Sequence, residues 1–184
     1  QNTIEAYIVN GSAISDVNAS NGLTVTATDN AKIASDVGSG AGGFGVAGGA
    51  SVGVSLSDNT VDNTVSSYID GPVIVTSGDV DVIATSTVDI DGLVVATSVA
   101  GATGAAAGAG GDSSSTITGA VQAYIGASGS INDTNTTAHT PNVTVQATSD
   151  QTAEADATGV AVAVGLAVVP VGAVVAEAKI DGTT

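Results

Sequence analysis

The chain has 184 residues, a formal net charge of −16 with only two basic side chains, and no Cys, Met or Trp. Lys and Arg are what displace counterions from phosphate, so this balance argues against nucleic acid and against anionic membrane surfaces as partners. With one Phe and three Tyr as the only aromatic residues, burial must rely on Val, Ile, Leu and Ala, which suit a thin interior rather than a wide globule.

In chain order, the first predicted strand is "TIEAYI" (residues 3–8), followed by a turn-rich stretch and then "NGLTVTAT" (residues 21–28). In the latter, Leu23, Val25 and Ala27 alternate with Thr24, Thr26 and Thr28, the period-two pattern of a half-buried strand. A Gly/Ala/Val-rich phrase follows, "GFGVAGGASVGVS" (residues 43–55). The same three phrases then recur. "TVSSYI" (64–69), "GDVDVIAT" (78–85) and "VAGATGAAAGAG" (99–110) make a second set. "AVQAYI" (120–125), "PNVTVQAT" (141–148) and "GVAVAVGLAVVPVGAVVA" (159–176) make a third. From Ile4 to Val65 to Val121 the periods are 61 and 56, and closing the circle through the end of the chain gives 67.

The chain therefore reads as one repetitive domain over residues 1–184, with repeats near 1–61, 62–117 and 118–184. The last repeat leads in phase into the first: "AKIDGTT" joined to "QNTIEAYI" aligns with "SLSDNTVDNTVSSYI" (residues 55–69), setting Asp181 on Asp58 and Thr183 on Thr60. This phasing predicts a slice of a longer array or a subunit that adds to further copies of itself head to tail. The first residues show no basic stretch followed by an apolar one, so an excised segment without an export signal is expected.

β-branched residues, period-two alternation and turn clusters such as "NASNG" and "DGP" predict an all-β fold. Each repeat of about 61 residues divides into three segments of about 20, a length that suits one coil of a parallel β-helix or β-solenoid. The alternative is an antiparallel meander of very long strands, reversing at residues 47–51, near Gly104 and at residues 168–172. The stretch 159–176 has no polar side chain, yet Gly165 and Pro170 interrupt it and its counterparts are rich in Gly and Ser, so no membrane span is expected. As a strand it is apolar on both faces, which calls for cover from another layer of the chain or from a neighbouring molecule.

The phrase "GDVDVIATSTVDIDG" (residues 78–92) resembles the Gly-Asp-apolar-x-apolar-x-Ala coils of filamentous-haemagglutinin-type adhesins and other repetitive bacterial surface proteins. The resemblance implies a right-handed parallel β-helix, export to the cell surface, and work as a stalk or adhesive fibre. The secretion module that such proteins carry at the N-terminus is missing here, and the Gly/Ala/Val third of each repeat is more apolar than their coils.

Chemistry is sparse. No nucleophile with a partnered base, P-loop or Cys site is present, and the lone His139 sits in a turn-like stretch, so no enzyme is expected. Calcium is the one ligand with candidate residues: Asp79 with Asp81, and Asp89 with Asp91, are i, i+2 carboxylates on one strand face. The plainer reading is a solvated acidic face, and no other cofactor is expected. Sequons at Asn10, Asn18, Asn132, Asn135 and Asn142 place the turns at the surface. The threonine rows of ice-binding solenoids are broken, because Asp81, Ile83 and Gln146 interrupt the array.

Two functional expectations follow. One is a non-catalytic structural segment or subunit of an extracellular bacterial fibre or adhesin stalk, assembling end to end by strand stacking and laterally through the apolar third. The other is an adhesive module recognising a glycan or cell surface through the loops at residues 9–21 and 126–142, with calcium assisting.

Overall fold

The computed structural model describes residues 1–9, 17–19, 21–75, 78–133 and 141–183. Ten strands follow one another in the described residues: β1 (Asn2–Val9), β2 (Val17–Ala19), β3 (Leu23–Phe44), β4 (Gly49–Asp70), β5 (Pro72–Val75), β6 (Val80–Gly101), β7 (Gly104–Ile125), β8 (Ser130–Asp133), β9 (Val143–Val164) and β10 (Ala167–Thr183). They form three sheets: a front sheet β1-β4-β7-β10, a back sheet β3-β6-β9 and a small sheet β2-β5-β8. Every pairing between neighbours is parallel.

One coil runs along the back sheet, turns, returns along the front sheet and closes through a short strand. The back strands and the front strands β4 and β7 are each 22 residues long. At about 3.3 Å per residue each is ~70 Å long, several times an ordinary strand. Parallel pairing is what supports them, since the backbone groups of β6, and those of β7 as far as Ala120, find partners on the coils before and after.

Each repeat is therefore a single coil, and the three segments of about 20 residues are its sides rather than three coils. The cause lies at the turns. The chain does reverse between β3 and β4, β6 and β7, and β9 and β10, at residues 45–48, 102–103 and 165–166; each turn lies slightly earlier than the sequence suggests, and residues 168–172 belong to β10 rather than to a turn. The strands leaving a turn do not pair back on the strands entering it, as an antiparallel meander requires. They cross to the opposite sheet and pair with their counterparts in the neighbouring coil.

The register agrees with the repeats over most of the chain. Asn2 pairs with Asn63, Tyr7 with Tyr68 and Tyr68 with Tyr124, while Leu23, Val80 and Val143 stand level on the back sheet. The tail differs. Asp181 pairs with Thr118, which pairs with Asp62 rather than Asp58, and Thr183 stands level with Thr64 rather than Thr60. The polar wording of residues 178–184 suggested one alignment. The ladder instead keeps the pairing register that runs unbroken from Ala167, and the four-residue difference is even, so every side chain keeps its face.

The core is thin and changes character along the coil. Near the small sheet, Val25, Ile69, Val73, Val80 and Val82 pack together, and farther along Val61, Val88, Ile90 and Ile117 do so. Toward the turns the core shrinks to alanine, with Ala100, Ala105 and Ala107 packed together and Ala102, Ala161 and Ala163 against them. There the sheets lie so close that a Cβ on Gly53 would run into the carbonyl oxygen of Thr97. Serines bridge the gap: Ser55 Oγ donates to the Val95 carbonyl at 2.9 Å and Ser51 Oγ to Val99 at 2.8 Å, and at the opposite end Ser67 Oγ donates to Val25 at 2.7 Å. Among the described residues one carboxylate is buried, Asp29, which accepts from Asn63 Nδ2 at 2.7 Å and Ser86 Oγ at 3.4 Å.

Candidate functional site

With the interior filled, any function rests on the outer faces and the edges. The outward residues of β6 come in strict alternation, beginning with Asp81, Ile83, Thr85, Thr87, Asp89 and Asp91, while Val80, Val82, Ala84, Val88 and Ile90 point inward and are buried. The four candidate calcium ligands thus lie along one line on the back sheet. They do not converge. The pair Asp79 and Asp81 lies eight residues from Asp89 and Asp91, a separation of ~26 Å along a strand.

Their partners differ as well. Asp79 Oδ1 accepts the Asn142 backbone N–H at 3.0 Å and its side-chain amide at 3.3 Å, tying the second coil to the third. Asp89 takes Lys32 from the neighbouring strand, with Nζ 2.6 Å from Oδ2. This hydrogen bond, reinforced by the charge of Asp89, holds the Lys32 ammonium above its usual value of 10.5. Asp91 stands level with Ala34 on one side and Glu154 on the other. Among the described residues no group of three or more His, Asp or Glu side chains is placed to hold a metal ion.

The threonine array has the interrupted form that the repeats predict: Thr28, Thr85 and Thr148 stand level, but Asp81 separates Thr24 from Thr144. His139, Asn10 and Asn135 lie outside the described residues, as do large parts of both variable loops. Asn132, in β8, is exposed.

The turn end of the coil forms a blade without charge. Residues 38–57, 94–111 and 157–176 contain no ionisable side chain, whereas Asp36, Asp91 and Asp156 on the back sheet and Asp58, Asp112 and Glu177 on the front sheet border it. Its outer faces are apolar and open: Val52 is 69 % exposed, Leu56 66 % and Val164 64 %. No other part of the described chain covers them. Val52, Gly108 and Val171 stand level on the front sheet, as do Val54, Gly110 and Ala173, so larger side chains flank a glycine at both levels. On the back sheet, Gly38 lies beside Val95 in a shallow hollow of about 170 Å³ lined by Asp36, Val37, Gly38, Leu93 and Val95.

At the other end of the front sheet stands a feature that the sequence reading passed over. Tyr7, Tyr68 and Tyr124 stack in a column, with ring centroids 5.2 Å and 4.9 Å apart and planes within 14° and 1° of parallel. The signal was present, since each "AYI" or "SYI" phrase carries its Tyr at the same repeat position. Burial, then the charge of Glu5, raises the Tyr68 phenol above its ordinary value of 10.0, with Tyr124, Tyr7 and Asp70 adding to it. The middle ring, Tyr68, has both faces covered, so it offers a sugar only its edge and hydroxyl, and one face each of Tyr7 and Tyr124 stays uncovered by the stack.

Comparison with protein-family models, with characterised proteins and with solved structures finds no match. The class therefore rests on the fold itself: an all-β chain of parallel sheets of long strands, wound as a β-solenoid. No helix among the described residues is long and apolar enough to cross a membrane.

Proposed function

We propose that this chain is a non-catalytic structural segment or subunit of an extracellular bacterial fibre or adhesin stalk, built by stacking coils along the solenoid axis. The observation that carries this reading is the uninterrupted parallel pairing of 22-residue strands, β3 to β6 to β9 and β4 to β7. Each coil is both product and template, because a paired strand presents on its far side the same row of N–H and C=O groups. The outermost strands of the described sheets, β1 and β3 at one end and β9 and β10 at the other, offer such rows to a further coil or copy.

Lateral association is proposed to run through the blade. A chain of charge −16 repels its own copies everywhere except where charge is absent, and there the exposed face is apolar. The scarcity of Lys and lack of Arg, which leave trypsin few cuts, suit a life outside the cell, and the resemblance to bacterial surface coils supplies the bacterial setting. The glycan-binding reading has weaker support, given a tyrosine column whose rings stack on one another and acidic pairs that do not converge.

Electron microscopy of the native material tests the proposal. Filaments with a layer line near ~4.8 Å along the axis are expected. Discrete particles without axial order would overturn it.

A further inference from the structure

All three tyrosines of the chain stand in one column, and the chain has no Cys, Met or Trp. Those absent residues are the side chains that ordinarily meet an oxidant first. The column is reachable, with Tyr7 52 % and Tyr124 41 % exposed on the outer face of the front sheet. Parallel in-register pairing holds each ring against the same ring of the next coil, so neighbouring phenols meet without any sliding of strands. We propose that the column is an oxidative modification site, at which a one-electron oxidant such as a peroxidase with hydrogen peroxide joins adjacent tyrosines into a biphenol that staples coil to coil.

Each of two phenols gives one electron to the oxidant and one proton to water, leaving two phenoxyl radicals side by side. These couple at ring carbons ortho to oxygen, forming one C–C bond. The hydrogens at those carbons then move to the phenolic oxygens and restore both aromatic rings. Two electrons and two protons are lost in all, and one hydrogen peroxide accepts them to give two waters. Tyr68, in the middle, has a partner on each side. The staple does here what a disulfide does elsewhere: it joins residues 56 or 61 positions apart in the chain and restricts the unfolded state.

The inference is independent of fibre assembly and is tested on the dilute purified chain. Treatment with a haem peroxidase and one equivalent of hydrogen peroxide should remove two hydrogens from the intact mass of the monomer. It should also produce biphenol fluorescence, join a peptide containing Tyr68 to one containing Tyr7 or Tyr124, and raise the melting temperature. Tyr68→Phe keeps the stack but leaves the two remaining phenols about two strand spacings apart, ~10 Å, and should lower the intramolecular product at least tenfold. Tyr7→Phe should retain a product that joins residues 68 and 124 alone. If Tyr68→Phe loses its strand signal in circular dichroism, Tyr7→Phe and Tyr124→Phe decide, each directing the link to the remaining pair. Only intermolecular dimers, only hydroxylated monomer, or an undiminished product in a folded Tyr68→Phe would overturn the proposal.

Discussion

At the scale of single residues, the constraint is the distance between the two long sheets. Gly53 is buried, and a methyl group there has to displace the Thr97 carbonyl of the facing sheet. Gly110 is also in the blade, but its nearest neighbour, the Ala173 carbonyl oxygen, is 3.7 Å from an added Cβ. Gly53→Ala should therefore destabilise by ~1–3 kcal/mol through overpacking, and Gly110→Ala should stay within about 0.5 kcal/mol, both read from urea melts. Equal effects would mean that the sheets do not approach as described. Tyr68 gives a second expectation. Its folded phenol ionises above 10.0 because of burial first and Glu5 second, so the folded state holds that proton more tightly than the unfolded chain does. Its stabilising share is fully present below the unfolded value and is lost as pH rises through the folded value. In a Tyr7→Phe/Tyr124→Phe variant, ultraviolet absorbance should show the single phenol titrating later than free tyrosine. Titration at or below the free value would contradict the burial of the column's middle ring.

At the scale of elements, inward and outward faces make opposite demands on similar side chains. Ile117 is fully buried against Val61, Val88 and Ile90, whereas Leu56 is two-thirds exposed on the blade. Ile117→Ala should cost ~2–5 kcal/mol, while Leu56→Ala should leave the stability of the dilute chain within about 0.5 kcal/mol. If copies associate through the blade, Leu56→Ala should also shift sedimentation at high concentration toward the monomer, with no change in the melt. These faces were legible in the sequence, because alternation in "LTVTAT" and "VDVIATSTVDIDG" assigns each residue to a side and the structure keeps those sides. The repeats were legible for the same reason that Leu23, Val80 and Val143 stand level. Strand length was not. Nothing local says whether a chain leaving the turn at residues 45–48 pairs with the strand it has just left or crosses the core. That choice depends on contacts more than fifty residues away, such as Gly49 with Ala105. The tyrosine column was half legible: its period was written in the repeats, but its stacking follows only once the coil is known to be one repeat long.

At the scale of the whole molecule, the width of the coil becomes a measurable property of any fibre it builds. A solenoid rises by one strand spacing per coil, so the axial mass density reports how many residues a coil contains. The chain weighs 17.3 kDa and winds through roughly three coils, or ~5.8 kDa for each ~4.8 Å of rise. A fibre one solenoid thick should therefore carry ~1.2 kDa per Å. Coils of about 20 residues, the size suggested by segment length alone, would give ~0.4 kDa per Å. Dark-field electron microscopy of unstained filaments separates these values readily, and lateral pairing through the blade multiplies the first by whole numbers. Chelation adds an independent arm. Backbone pairing along the axis needs no metal, so EDTA should leave the mass per length, the strand signal and the melt unchanged. A density near the lower value would refute the wide coil. Fibres of the right density that fall apart in EDTA would instead keep the coil and make the carboxylates bordering the blade a calcium-bridged contact between copies.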